Sequence, residues 1–384
     1  DKLPYFLDND VFDDALLERI VASARAQLAW QTEHVAGPGN VRLFQANTFL
    51  WAGLTLSFLP EADTWLARAR ELYADTARRD VEPDGSHCEH DPNYHRLYQG
   101  TFFDLLVWQK AFPRADLRAF PDVALRVFDY GVASRRPNAQ VCGLQEGKSA
   151  WTGAGDLAGV LARRRQVQRL AGAAETPPPL AQVFPDAGQV FLRDSWDADA
   201  TYLTFDATRW GGAHSHLGRN GVQLHAFGRT VVARSGSLSY AMDHAGHRGD
   251  ALDHEMGPYG KSTRAGNTLN LNGWNQAPTN PDFLKTHFSD ACHAVASRYS
   301  GGFWPGRYGW WFTEGFGAGV HAVHDRLLVW LPGRAAVVID TLMRWDEQAP
   351  GGPAQKTPSL EMNWQLSPGP VELDADRRRV VTGH

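Results

Sequence analysis

Apolar residues recur at helical spacing through the first part of the chain. Residues 11–29 (VFDDALLERIVASARAQLA), 41–58, 59–80, 97–112 and 121–135 each repeat every three to four positions, the signature of a one-sided helix. The stretch 59–80 has Pro60 at its start, acids early and arginines late, the order a helix dipole favours. The connections are short and rich in Gly, Pro and Asp, so the pattern predicts antiparallel helix pairs.

Past GAAETPPPLAQVFPDAG (172–188) the pattern changes. Pro177, Pro178 and Pro179 make a stiff, extended linker. Beyond it come runs rich in β-branched and aromatic residues: 189–194, 200–207, 221–234, 267–273, 293–299 and 326–343. Gly, Asn and Asp separate them, as in a β-sandwich. The expectation is a helical domain over 1–174 and an antiparallel β domain over 175–384. A length of 384 residues suits two domains at roughly 150 residues each.

Composition narrows the function by exclusion. The net charge of −5 gives no basic field for nucleic acid, so a polyanionic partner needs a local basic site. No apolar run approaches membrane-spanning length. Cys88, Cys142 and Cys292 are too few and too scattered for a disulfide framework or a cysteine-rich zinc site. The 14 tryptophans suit sugar stacking and core packing equally. The chain opens DKLPYF, and no signal peptide is visible in it.

Three stretches carry candidate chemistry. In RWGGAHSHLGRN (209–220), His214 and His216 alternate, so on a strand both would face one side. Two such imidazoles can hold a metal, divide acid–base work, or decorate a polar surface strand. In DGSHCEHDPNYH (84–95), Asp84-Gly85 reads as a turn, and Pro92 puts Tyr94 and His95 at the mouth of a helix. Taken singly, His87, His90 and His95 read as solvated loop histidines, and Tyr94 as an interfacial aromatic. Asn40 in GPGNVRLFQANT opens a helix, where asparagine is a good N-cap.

Taken together and in order, these stretches resemble the heparinase II/III-like polysaccharide lyases. GRTVVARSGSLSY (228–240), GPYGKSTRAGNTLNLNG (257–273) and GVHAVHDRLLVWLPGRAAVVIDTL (319–342) extend the likeness. It implies an incomplete α/α toroid followed by an antiparallel β-sandwich. It also implies β-elimination beside a uronic acid in an acidic polysaccharide, heparan-sulfate-like or alginate-like, outside the cytoplasm or in the periplasm. Asn40 matches the carboxylate-binding position, Tyr94 the catalytic tyrosine, an acid with the base role also open to it, and His214 the histidine that acts as base or as carboxylate partner. His87, Arg219, Tyr240 and Arg264 are candidate substrate contacts, and Arg42, Arg96 and Arg209 also lie near the motifs.

One departure stands out. The resemblance implies a structural zinc on the second histidine of HSH, together with an aspartate and a further histidine. Here His216 is kept, but the partner positions hold Arg234 and Gly266. One histidine does not make a zinc site, so the expectation is no cofactor. His244, His247, Asp250 and His254, in the stretch 242–257, could supply other ligands or form a solvated loop. A carbohydrate-binding relative without catalysis and a metal-dependent hydrolase remain as alternatives.

Overall fold

The computed structural model describes residues 13–117, 120–147, 156–237, 251–308, 313–314, 319–344, 359–366, 371–374 and 379–382. It divides into two compact units: residues 1–133 with 158–178, and residues 134–157 with 179–384. The order is helical first and antiparallel-sheet-rich second.

Six helices belong to the first unit among the described residues: α1 (Asp14–Glu33), α2 (Asn40–Thr55), α3 (Ala62–Arg79), α4 (Pro92–Ala111), α5 (Pro121–Ala133) and α6 (Leu157–Ala171). In α3, the period seen in sequence is a buried stripe of Leu66, Ala69, Leu72, Tyr73 and Thr76. Asp63 sits in its first turn and Arg78 and Arg79 in its last. The core joins Leu43, Phe49, Leu50, Leu66, Leu72, Phe102, Leu105, Phe120 and Val127. Each such large side chain contributes about 1.5–3 kcal/mol on burial.

Helix α4 starts five residues before the apolar repeat at 97, because Asp91 and Pro92 form a complete start signal. Asp91 accepts from the backbone N–H of Asn93 (2.6 Å) and Tyr94 (2.9 Å), and Pro92 occupies the first turn, where its missing N–H is not needed. Helix α6 is an addition to the five helices expected from the apolar repeats.

The second unit is built on β1 (Ala181–Phe184), β2 (Gln189–Arg193), β3 (Tyr202–Asp206), β4 (Gly221–Ala226) and β5 (Arg229–Val232), paired in sequence order into an antiparallel sheet. Then follow α7 (Ala251–Lys261), β6 (Leu269–Leu271), β7 (Asn275–Gln276), β8 (Phe283–Phe288), β9 (His293–Tyr299), β10 (Phe303–Trp304), β11 (Arg307–Tyr308) and β12 (Thr313–Glu314). The last strands are β13 (Ala322–Leu331), β14 (Ala335–Arg344), β15 (Leu360–Met362), β16 (Val371–Asp374) and β17 (Arg379–Thr382). A second antiparallel sheet has the order β14-β13-β9-β8. Val190, Leu192, Leu203 and Phe205 of the first sheet share a core with Val295, Leu328 and Trp330 of the second.

Residues 134–147 precede the linker yet fold onto the first sheet. Arg136 donates to Thr230 Oγ1 (2.8 Å), the Gly143 N–H to Gln223 (3.2 Å), and Arg193 to the Arg135 carbonyl (2.7 Å). A single cut in the sequence therefore does not separate the compact units.

Candidate active site

In the first unit, Asn40 is the first residue of α2, but Gly39 is its N-cap. Gly39 has φ +116°, a conformation glycine adopts without strain. The asparagine side chain is thus not spent on capping; it is half-buried and makes no hydrogen bond among the described residues. Asp80 holds the start of this helix. Its carboxylate accepts from the Gly39 N–H (3.2 Å), Arg42 (2.5 Å) and Tyr98 Oη (3.4 Å). Burial raises the Asp80 carboxyl against the opposing pull of these donors.

Tyr94 lies in the first turn of α4, half-buried, with its backbone fixed by the Asp91 cap. The neighbouring histidines are not solvated, contrary to the reading from residue types. His87 is fully buried, His90 is 5% exposed and His95 1%. His87 Nε2 lies 3.3 Å from Glu89 Oε2, and His95 Nε2 lies 2.7 Å from the Val127 carbonyl. The His87 ring packs against His95 (ring centroids 5.8 Å) and Tyr98 (5.1 Å), so its side chain is interior and not solvated. Arg42 is likewise interior, bound to Asp75 and Asp80.

In the second unit, the HSH stretch is not on a strand. It sits in a looped connection between β3 and β4. Gly212 turns the chain at φ +87°, and the Ser215 N–H donates to its carbonyl (3.0 Å). The two histidines consequently diverge: His214 is partly exposed, while His216 is 2% exposed.

Adjacent residues of the earlier segment 134–147 hold both positions. Glu146 Oε2 lies 2.7 Å from His214 Nδ1, and Gln145 Oε1 accepts from the His216 N–H (2.6 Å). Lys261, the last residue of α7, donates from Nζ to Glu146 Oε1 (2.6 Å) and to the Ala213 carbonyl (2.8 Å). Burial alone would raise the Glu146 pKa, but His214 and Lys261 hold it well below the ordinary carboxylate range. The loop carrying this pair is tight. A Cβ on Gly147 would meet the Cys142 carbonyl oxygen at 2.1 Å, and Gln145 stands at φ +49°, in the left-handed region.

Further supports hold the end of the HSH loop. Thr263 Oγ1 donates to the Leu217 carbonyl (2.5 Å), Thr268 Oγ1 to the Arg219 carbonyl (2.8 Å), and Arg326 Nη1 to the Asn220 carbonyl (2.7 Å). Arg219, expected to contact substrate, is 1% exposed, and its guanidinium donates to the His216 carbonyl. It props the loop from inside. Arg264 is exposed and forms an ion pair with Glu361 (3.0 Å). Tyr240 lies outside the described residues, as do His244, His247 and Asp250; His254 falls in α7.

The surroundings of His216 do not fit a zinc ion. The Arg234 guanidinium binds Asp206 beside Gly218, where an added Cβ on Gly218 would come within 2.3 Å of Arg234 Nη2. A Cβ on Gly266 would meet Gly218 Cα at 2.7 Å, leaving no room for a histidine there. Burial first, then the charges of Lys261, Arg234 and Arg219 against Glu146, keep the His216 pKa well below its ordinary value. A divalent ion would face the same positive charges. Among the described residues, no group of three or more His, Cys, Asp or Glu could hold a metal.

Glu146 and Lys261 are residues of this site that no sequence motif singles out. The signal for Glu146 was an acid closely flanked by glycines in CGLQEG (142–147). No local signal marked Lys261, which is 115 residues from its partner.

The description Heparinase II/III-like, C-terminal, matches residues 176–384, and Heparinase II/III N-terminus matches residues 1–139. The chain belongs to the heparinase II/III-like family. It is 21% identical over 284 residues to a heparin-sulfate lyase of Pedobacter heparinus, a match covering 71% of this chain and 42% of that protein. It is also similar to the crystal structure of a heparan sulfate lyase HepC mutant from Pedobacter heparinus. That likeness has a TM-score of 0.74 at 19% identity and covers 99% of this chain and 56% of the other. A heparinase III crystal structure gives a TM-score of 0.76 at 17% identity, covering 100% and 58%. At these identities the structures establish the heparinase-like fold. The chain spans about half the length of these relatives.

Proposed function

We propose that this heparinase II/III-like chain is a polysaccharide lyase that cleaves beside a uronic acid by β-elimination. On this reading its helices are a segment of an α/α toroid, and its two main sheets are the faces of a β-sandwich. The observation that carries the reading is the partly exposed His214 imidazole, held at one ring nitrogen by a buried, ionised Glu146. It stands at the motif position where the family resemblance implies a base or a partner for the substrate carboxylate.

The chemistry has three demands. The uronate C5 proton is weakly acidic, so the neighbouring carboxylate must be neutralised to stabilise the enolate-like intermediate. Asn40, whose amide is not engaged in capping, suits that task. A base removes the C5 proton, and an acid protonates the leaving O4. The C4–O4 bond breaks, and the electron pair from the C5–H bond becomes the C4=C5 double bond. The family resemblance gives Tyr94 the acid role, with the base role open to it as well, and gives His214 the role of base or carboxylate partner. Whether the C5 hydrogen lies syn or anti to the leaving oxygen decides which one takes the proton.

The substrate we favour is a lightly sulfated, heparan-sulfate-like glycan, in keeping with the relative of that activity. Of the five arginines near the motifs, Arg42 and Arg219 are buried on internal partners and Arg264 is paired with Glu361. Few guanidinium groups remain for sulfates, so an alginate-like uronan ranks second. The reading includes no zinc at His216 and a location outside the cytoplasm or in the periplasm, where such polymers are met. No described helix is long and apolar enough to cross a membrane.

The deciding experiment is ultraviolet absorbance during incubation with heparan sulfate, heparin, hyaluronan, chondroitin sulfate, polymannuronate and polyguluronate. A rise from the conjugated, unsaturated uronate on heparan sulfate is expected. Hydrolysis products without a double bond would overturn the lyase reading, as would binding without cleavage by demonstrably folded protein.

A further inference from the structure

His214 has two ring nitrogens, and the acid–base assignment leaves open which one acts. Resting on that assignment, the geometry points to Nε2 as the working atom of His214, with Glu146 and Lys261 as the positioning residues that keep it so. Glu146 is an acceptor facing Nδ1 at 2.7 Å, which places the ring hydrogen on Nδ1 and makes Nε2 the nitrogen that carries the basic lone pair.

Lys261 makes this arrangement rigid. Its ammonium spans the other Glu146 oxygen (2.6 Å) and the carbonyl of Ala213, the residue just before the histidine (2.8 Å). Its own carbonyl accepts from the Leu217 N–H (2.8 Å), just past the histidine pair. Gln145 fixes the His216 N–H from the same short loop as Glu146. Ring, carboxylate and backbone on both sides of His214 are therefore tied into one frame. Glu146 and Lys261 are both nearly fully buried, so water does not compete for these bonds. A carboxylate that orients a histidine and selects its tautomer has large leverage: losing it in a comparable histidine-based site lowers kcat by about ten-thousandfold with the geometry intact.

The first test needs no substrate. Nitrogen-15 NMR of histidine-labelled protein in mildly alkaline buffer reports the tautomer, with the His214 signal assigned by its loss in His214→Asn. A hydrogen on Nδ1 and a bare Nε2 are expected; a hydrogen on Nε2, alone or on both nitrogens, overturns the inference. The second test is kinetic. Glu146→Gln should lower kcat about a hundredfold or more with KM little changed, because the amide no longer imposes one tautomer. Glu146→Asp should recover part of that loss, since it keeps the charge and the acceptor. Wild-type kcat in Glu146→Gln, or equal losses in the Asp and Gln variants, would count against the positioning role. The two readings fail separately. No turnover with the hydrogen on Nδ1 removes the lyase proposal and leaves the tautomer intact, whereas turnover with the hydrogen on Nε2 does the reverse.

Discussion

Arg234 and Asp206 form an ion pair in the interior of the second unit, with side chains 2% and 0% exposed. Asp206 closes β3, and its backbone carbonyl accepts from Asn220 N–H (2.6 Å) at the far end of the HSH loop. The pair thus fixes both ends of the loop that presents His214. Replacing Arg234 with Met would leave a carboxylate buried without its main counter-charge, which typically costs about 3–5 kcal/mol. Urea unfolding of Arg234→Met against wild type measures this; a change below about 1 kcal/mol would show that the pair is not structural.

Because the cation beside His216 is a side chain, the fold should be indifferent to chelators. Treatment with EDTA followed by thermal unfolding should leave Tm unchanged, and elemental analysis should find no stoichiometric zinc. Bound zinc at one ion per chain would overturn the no-cofactor reading.

Tyr94→Phe removes a phenol oxygen and leaves the ring and the Asp91 cap in place. Turnover should fall by at least about a hundredfold while the unfolding midpoint stays close to wild type. A fully active variant would remove Tyr94 from the mechanism.

Asp91→Ala separates cap from chemistry. The lost hydrogen bonds to Asn93 and Tyr94 should cost about 1 kcal/mol of stability. They also fix the backbone of Tyr94 itself, so kcat should drop further than in an Ala variant at an exposed cap such as Asp13 of α1. Parallel denaturation and rate measurements on the two variants make the comparison.

Asp340 on β14 gives a pH test of stability. Burial tends to raise its carboxyl, but His324 (2.7 Å) and Arg326 (2.7 Å) bring it down to about 2. An unfolded aspartate titrates near ~3.9. The folded pKa is the lower one, so the stabilisation is fully present above the unfolded value and is lost as pH falls through about 2. Its size is on the order of 2 kcal/mol. Asp340→Asn should be less stable at neutral pH and should flatten the acid limb between those values. An unchanged acid limb would assign the dependence to other groups.

Much of this was legible in the chain because it is local. The stripe of α3, the strand 293–299 and the hairpin of β13 and β14 follow from periods of 3.6 and 2. The start of α4 is legible in Pro92, whereas the Asp91 cap is seen only in the structure. The HSH stretch misled because alternation implies one face only if the backbone is extended, and the turn at Gly212 removes that condition. The same limit applies to charge. Arg42 and Arg219 look like surface cations in a list of residues, but each has its partners inside the protein. Glu146 meets His214 across 68 residues, and nothing in either neighbourhood encodes the meeting.

The placement of residues 134–157 with the second unit bears on how the chain can be divided. A fragment begun at the proline linker would keep every histidine of the HSH loop and discard Gln145 and Glu146, which hold it. Inactivity of such a truncation would indict the cut and leave the chemistry untouched. Grafting this β-rich unit onto another helical partner would need the 142–147 loop carried along as a separate splice.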